Sequence, residues 1–476
     1  MKRLLLLSLA LVWCNTLWAT EVRTLKGSVT CAGKGVAEVI VTDGESFTQT
    51  DSKGRFELAS ADGHTLIYLT IPSGYEVEAQ SSVPQFWQKI SEEKASYDFE
   101  LKKRQEDDTR HGFIAIADPQ IWHQKEFPAL RSAMEDIRET VAGYEVPFHG
   151  LCCGDVISYD HTFYPAYNEI IATSGIDFFS TPGNHDMTLY SRSHETSVRL
   201  WEETFGPTYY SFNVGKVHYV ILNDNFYIGR DYFYIGYLDE RQLAWLERDL
   251  SYVEEGSTVI VTLHIPTTCE ESDRKQFQYR NIANVMTNAH HLHRMLVPYQ
   301  AHIISGHTHT TYNQIITESL YEHVMPALSG AWWQGPLCTD GTPRGYGVFE
   351  VDGDKVSWYY KSTDYTPDYQ MVLYAGEKYP QFKGQVVANI WASDPSWCVE
   401  ASFDGGEALE MERFECYDPA AQEMYKSTEG FDHSYIYPSP ADHFYRVALP
   451  EGARKVTVTA KDRFGKCYTQ TLTIEK

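Results

Sequence analysis

The sequence predicts an α/β layered domain set between two small all-β domains, and three patterns predict it. Short alternating strands broken by Gly and Asp fill residues 21–103. Buried strands then alternate with amphipathic helices over residues 110–375, and β patterning returns over residues 384–476. A chain of 476 residues exceeds one ordinary core, and a hydrophobic share of 43% is enough to give each of three domains its own.

Residues 1–19, "MKRLLLLSLALVWCNTLWA", combine a basic start, an apolar stretch too short to span a bilayer comfortably, and a small residue before "TEVRTL". They read as a signal peptide cleaved near Ala19; a lipoprotein signal through Cys14 is disfavoured by the bulky Trp13 before it. No later run is apolar enough for a membrane helix, so the chain is expected to be exported, most simply to the periplasm. The next segment, with "TLKGSVTCAGKGVAEVIVTDG" and "TLIYLTIPSGY", has the period and turn chemistry of a small β-sandwich. "KKRQEDDTR" follows as a solvated linker. The middle segment runs through "GFIAIADP", "FPALRSAMEDIRETVAGY", "FHGLCCGD", "IDFFSTPGNHD", "KVHYVILND", "STVIVTLH" and "AHIISGHTH", while "QVVANIWA" and "RKVTVTAKDRFG" mark a second sandwich.

Charge narrows the partners. Lys and Arg number 40 against 65 Asp and Glu, a net charge of −25, which opposes long nucleic acid and anionic membrane surfaces. A phosphate substrate must then be drawn in by a local positive centre. The cysteine spacing matches no zinc motif, and Cys152 and Cys153 lie on an apolar run where buried thiols are expected.

Each buried strand of the middle segment ends in a polar cluster: Asp118 and Gln120, then Asp155, then Asn184-His185-Asp186, then His264, then His307 and His309. Singly, each is more often a cap, a turn or a surface histidine. Together, at the carboxyl ends of strands where open α/β sheets build their sites, they converge on one place. Mixed oxygen and imidazole donors suit Mn, Fe, Zn or Ni, and there are enough for two divalent or trivalent ions. With Asp155 bridging, one ion takes Asp118, Gln120, Asp155 and His309, and the other takes Asp155, Asn184, His264 and His307. The neutral amides of Asn184 and Gln120 leave such a centre net positive, so it can hold a phosphate anion. A metal-bridging hydroxide then attacks phosphorus. His185, one residue past a ligand, protonates the leaving oxygen, with Asp186 to orient it or raise its pKa.

The blocks "DPQ", "GD", "GNHD", "H" and "GHTH" resemble the signature of the calcineurin-like metallophosphoesterases. That resemblance implies a four-layered αββα sandwich with a dinuclear centre. The flanking segments resemble the transthyretin-like N-terminal and C-terminal β domains of one exported bacterial subgroup. One departure stands out: the first block is usually Asp-x-His, and here Gln120 replaces the histidine, which predicts looser binding of the first ion and a preference for a harder metal.

Trp332, Trp333 and Arg344 follow the last ligand block, where the indoles can stack on a sugar or base and the guanidinium can take a phosphate oxygen. The tryptophans can equally pack the catalytic segment onto the C-terminal sandwich. His290, His291 and His293 lie on a helix-like apolar pattern and read as structural. The expected function is hydrolysis of a small phosphomonoester or phosphodiester, such as a sugar phosphate, nucleotide or lipid head group. The alternatives are a weakly active or inactive surface protein that binds glycan or protein, and a dinuclear amidohydrolase. Against the latter, its His-x-His usually opens the domain, whereas here it closes it.

Overall fold

The computed structural model describes residues 22–230, 233–268, 279–376 and 378–474. The segment 1–19 and Cys269 lie outside them. In the central region, two sheets are built from strands β1 (Arg110–Ile116), β2 (Phe148–Cys152), β3 (Phe178–Ser180), β4 (Tyr210–Val214), β5 (Val217–Ile221), β6 (Thr258–Thr262), β7 (Gln300–Ser305), β8 (Tyr312–Thr317), β9 (Leu320–Val324), β10 (Gly345–Asp352) and β11 (Lys355–Ser362). One sheet has the order β3-β2-β1-β10-β11, the other β4-β5-β6-β7-β9-β8. The strands β1, β2 and β3 are parallel, as are β5, β6, β7 and β9, so their carboxyl ends point the same way within each sheet.

The alternation of side chains along these strands explains the layering. In β1 and just beyond it, Phe113, Ala115 and Ala117 face the other sheet and pack with Tyr219, Ile221, Ile260 and Ile304. Ile114 and Ile116 face the opposite way, onto Leu130, Ala133, Met134 and Ile137 of helix Phe127–Val141. The second sheet does the same: Val220, Val259, Val261 and Ile303 meet Trp245 and Leu246 of helix Glu240–Leu250 and Leu292 and Leu296 of helix Ala289–Leu296. Strands buried on both faces are apolar at most positions, which is why they read as near-continuous hydrophobic runs. The result is four layers, helix-sheet-sheet-helix. Between the sheets, aromatic rings lie flat on one another, with Phe113–Phe349 centroids 4.5 Å apart and Phe179–Phe212 3.7 Å apart.

Both flanks are built mainly of β-strands, the C-terminal one with a short helix, Pro419–Met424. The N-terminal one has a five-stranded and a four-stranded sheet around Val29, Val41, Leu58, Ile67 and Leu69. The C-terminal one has two four-stranded sheets around Val386, Ile390, Val399, Val456 and Val458. Strand Met371–Ala375 pairs with Gln385–Ile390 in the C-terminal sheet, although the strand and helix alternation placed it at the end of the middle segment. Its β period is the same in either setting, so local pattern cannot say which sheet it joins. Cys152 and Cys153 are fully buried, and among the described residues the cysteines are unpaired. No described helix is long and apolar enough to cross a membrane.

Candidate metal centre

Six of the seven residues proposed as ligands, Asp118, Asp155, Asn184, His264, His307 and His309, meet at the carboxyl ends of β1, β2, β3, β6 and β7, and the first loop that carries Asp118 also carries Gln120. The turns that carry them are tight: Asp118, Gln120, Asp155, His307 and His309 all have positive φ, between 41° and 71°. A non-glycine residue there costs about 1–3 kcal/mol and persists where the surroundings over-determine it. Those surroundings are visible. The Asp118 amide donates to Gly154 O at 3.2 Å and the Gln120 amide to Asp155 O at 2.7 Å, lacing the first loop to the second. The Ser329 hydroxyl donates to Asp118 O at 2.8 Å, and Trp333 Nε1 donates to Pro119 O at 2.7 Å. Two glycines allow close approach: a Cβ on Gly183 would lie 2.0 Å from Asp155 Oδ1, and one on Gly306 would lie 2.6 Å from Asp118 Oδ2.

The donor atoms converge with the wrong polarity for one another. His264 Nδ1 sits 2.6 Å from Cys153 O, which fixes a proton on that nitrogen. Its Nε2 then faces Asn184 Oδ1 at 3.0 Å, His307 Nδ1 at 3.1 Å and Asp155 Oδ1 at 3.5 Å. Likewise His309 Nδ1 is 3.0 Å from Gly330 O, which turns Nε2 toward Asp118 Oδ1 at 3.6 Å. Asp118 Oδ1 and Gln120 Oε1 are buried with no hydrogen-bond partner. Lone pairs crowded together and orphaned acceptors suit a cation between them. Asp155, His264 and His307 alone bring three ligand atoms within 4.8 Å of one another. The residues present therefore fit a metal ion.

Ionisation follows the same logic. Burial opposes a charge on His264, but Asp155, Asp118 and Asp224 outweigh it and push its pKa up to about 10, so a proton supplies the positive charge when no metal does. Burial also opposes ionisation of Asp155, yet the charges of His264 and His185 hold it well below the usual carboxylate range. Asp118 is lifted to about 7 by burial, opposed by His264 and reinforced by Asp155. Burial, aided by the charge on His264, takes His307 down to about 3, and burial takes His309 down to about 4. A bound cation would reverse the Asp118 shift.

His185 lies in the same cleft. Its amide donates to Asp155 Oδ1 at 2.7 Å, its Nδ1 is 3.1 Å from Ser158 Oγ, and its Nε2 is 4.0 Å from Asp155 Oδ2. Burial lowers its pKa, against the charge of Asp155. Asp186 does not orient it. The Asp186 carboxylate turns away and accepts the amides of Gly183 at 2.8 Å and Val156 at 3.2 Å, because successive residues of this short 3₁₀ turn point in different directions. The partner of His185 is Ser158 instead, and Asp186 fastens the second and third loops together.

The later candidates divide. Trp332 lies flat on His309, with centroids 4.0 Å apart at 16°, and its edge meets Tyr435 of the C-terminal region at 5.2 Å. Trp333 braces the first loop through Pro119. Arg344 sits over Trp333 at 5.8 Å and 3.5 Å from Asp364 Oδ2, so its guanidinium is already engaged. His290 and His291 are exposed on a helix whose buried face is Ala289, Leu292 and Leu296. Sequence reasoning missed Asp224, which is fully buried and accepts the amides of His264 and Ile265 at 3.1 Å, aiming His264. Its signal was present, since "VILND" is another polar cluster after a buried strand.

The chain belongs to the calcineurin-like phosphoesterase family. The model described as "Calcineurin-like phosphoesterase" matches residues 112–311, "N terminal of Calcineurin-like phosphoesterase" matches 23–104, and "C terminal of Calcineurin-like phosphoesterase" matches 322–468. No curated protein matches it in sequence. Among solved structures it is similar to a dimetal phosphatase from Danio rerio, with 15% identity, 53% of this chain and 96% of the other covered, and a TM-score of 0.38. A purple acid phosphatase from yellow lupin seeds gives 11% identity, 72% and 70% coverage, and 0.40. A 5'-nucleotidase from Candida albicans gives 10%, 53% and 52%, and 0.31.

Proposed function

We propose that the protein is an exported phosphoesterase with a dinuclear metal centre, acting on small phosphomonoesters or phosphodiesters. One observation carries this reading: donor atoms of Asp118, Asp155, Asn184, His264, His307 and His309 face one another beside the buried, unpartnered Gln120 Oε1, an arrangement that cations would satisfy. In this reading Asp118, Gln120, Asp155 and His309 would hold one ion, and Asp155, Asn184, His264 and His307 the other. Divalent ions held there would supply Lewis-acidic charge and an activated water for attack on phosphorus.

The chain's own residues do the rest. Asn184 and Gln120 bring oxygen donors without charge, so the cleft keeps a positive surplus inside an acidic protein. His185 is held through its amide and Nδ1, leaving Nε2 to carry a proton to the leaving oxygen. Burial of His185 makes that proton easier to give up once the imidazole is charged. Asp224, Trp333 and Asp186 fix the loops so that little rearrangement is needed when substrate binds. Export rests on the pattern of residues 1–19.

The test is hydrolysis of p-nitrophenyl phosphate and bis-p-nitrophenyl phosphate after chelation and after return of Mn, Zn, Fe or Ni singly. Turnover should vanish with chelator and return with at least one metal, and the better substrate separates monoesterase from diesterase. Full activity in the metal-free protein would contradict the reading.

A further inference from the structure

The segment Thr428–Ser439 of the C-terminal region lies against the loops of the candidate metal centre rather than on its own sheets. It is pinned at several points. Asp432 takes Lys125 Nζ at 2.5 Å and Gln334 Nε2 at 3.3 Å, and its amide donates back to Gln334 Oε1 at 3.1 Å. The Ser439 amide donates to Thr339 O at 2.9 Å. Deeper in, Asp340 Oδ2 accepts the Thr311 amide at 2.6 Å and lies 3.1 Å from His443 Nε2, tying the loop that carries His309 to a C-terminal strand.

These anchors seat His433, 4% exposed, between two rings that back the metal loops. It meets Trp122, two residues past Gln120, edge-on at 5.0 Å and 86°, and Trp332, which covers His309, at 6.2 Å. Its Nδ1 is 3.1 Å from the Tyr435 hydroxyl, whereas its Nε2 has no hydrogen-bond partner among the described residues and is not sealed from solvent. Cations nearby are already engaged, Lys125 by Asp432 and Arg344 by Asp364. The Nε2 of His433 is thus left without a partner among the described residues, beside the two rings that back the metal loops.

We infer that His433 is a substrate-binding residue, whose Nε2 donates to an oxygen of a phosphoester held between the metal loops and His185. This rests on the phosphoesterase reading above. The C-terminal domain then supplies one wall of the cleft, and its loop takes part in selecting the substrate. A hydrogen bond to a charged oxygen is worth about tenfold or more in affinity.

The experiment uses the metal-loaded full chain carrying His433→Phe, which keeps a ring between Trp122 and Trp332. KM for p-nitrophenyl phosphate and the inhibition constant of inorganic phosphate should each rise about tenfold, with kcat within about threefold, and metal content and unfolding temperature unchanged. Tyr435→Phe, which removes only the hydroxyl at Nδ1, should shift both constants the same way by less. A folded, metal-loaded His433→Phe with unchanged KM and phosphate inhibition overturns the inference. If that variant does not fold, unchanged constants in Tyr435→Phe overturn it. Wild-type protein without turnover in any metal would instead defeat the phosphoesterase reading. Calorimetric binding of inorganic phosphate, lost in His433→Phe or retained, then decides the role of His433.

Discussion

Two sets of buried and partly buried histidines sit in the same pair of sheets, and they differ in what their nitrogens face. In the first set the partners match. His218 lies 2.8 Å from Asp249 Oδ2 and 2.9 Å from Asn213 Oδ1, His111 lies 2.8 Å from Asp108 O and 2.6 Å from the Tyr219 hydroxyl, and His302 and His323 share a contact of 3.0 Å. In the second set, His264, His307 and His309 each turn a nitrogen toward another lone pair. Burial is common to both and marks nothing by itself. What distinguishes the site is buried acceptors left without a donor, Asp118 Oδ1 and Gln120 Oε1, beside imidazole nitrogens that face other acceptors.

The largest expected effect breaks the second set at its centre. Asp155→Asn should lower kcat/KM on p-nitrophenyl phosphate on the order of a thousandfold, since it removes a buried carboxylate of the candidate metal centre. The matching change in the first set, Asp249→Asn opposite His218, should lower the urea midpoint and leave kcat within about threefold. Equal losses of kcat in both variants would erase the distinction between the sets.

A smaller effect sharpens the role of His185. Its replacement by Gln should slow hydrolysis of an alkyl phosphate about a hundredfold, because a poor leaving group needs a proton. The loss should be much less with p-nitrophenyl phosphate, whose leaving group needs none. A loss independent of leaving group would assign His185 to binding instead.

The first set makes its own prediction, in stability. Burial drives both His111 and His302 down to about 4 from an ordinary 6.5, so each is neutral when folded. The unfolded chain binds more protons between those values, so stability is full above about pH 6.5 and falls as pH drops toward 4. The slope is about 1.4 kcal/mol per pH unit for each histidine. Urea midpoints measured across that range should fall steadily, and more gently in His111→Phe. A flat profile would mean that these imidazoles are not held neutral.

Much of the second set was legible in the sequence. A polar residue at the end of a buried strand is a local signal, and Asp118, Gln120, Asp155, Asn184, His264, His307 and His309 all carry it. The layers were legible as well, because a strand buried on both faces is apolar at most positions. What was not legible depends on direction or distance. Asp186 follows His185 in sequence, but the turn geometry sends its carboxylate to the amides of Gly183 and Val156. His433 reaches Trp122 across roughly three hundred residues of chain, and no periodicity reports such a meeting. Met371–Ala375 has a strand pattern that does not reveal which sheet it joins.

The central claim is that the opposed acceptors exist to hold metal, and the most direct measurement is the metal content of the purified, folded protein by mass spectrometry. It should be made alongside the Asp155→Asn and His218→Asn variants. The account predicts about two equivalents per chain in the wild type and in His218→Asn, falling to one or fewer in Asp155→Asn. Wild-type protein that stays folded and binds no metal from Mn, Zn, Fe or Ni would contradict it.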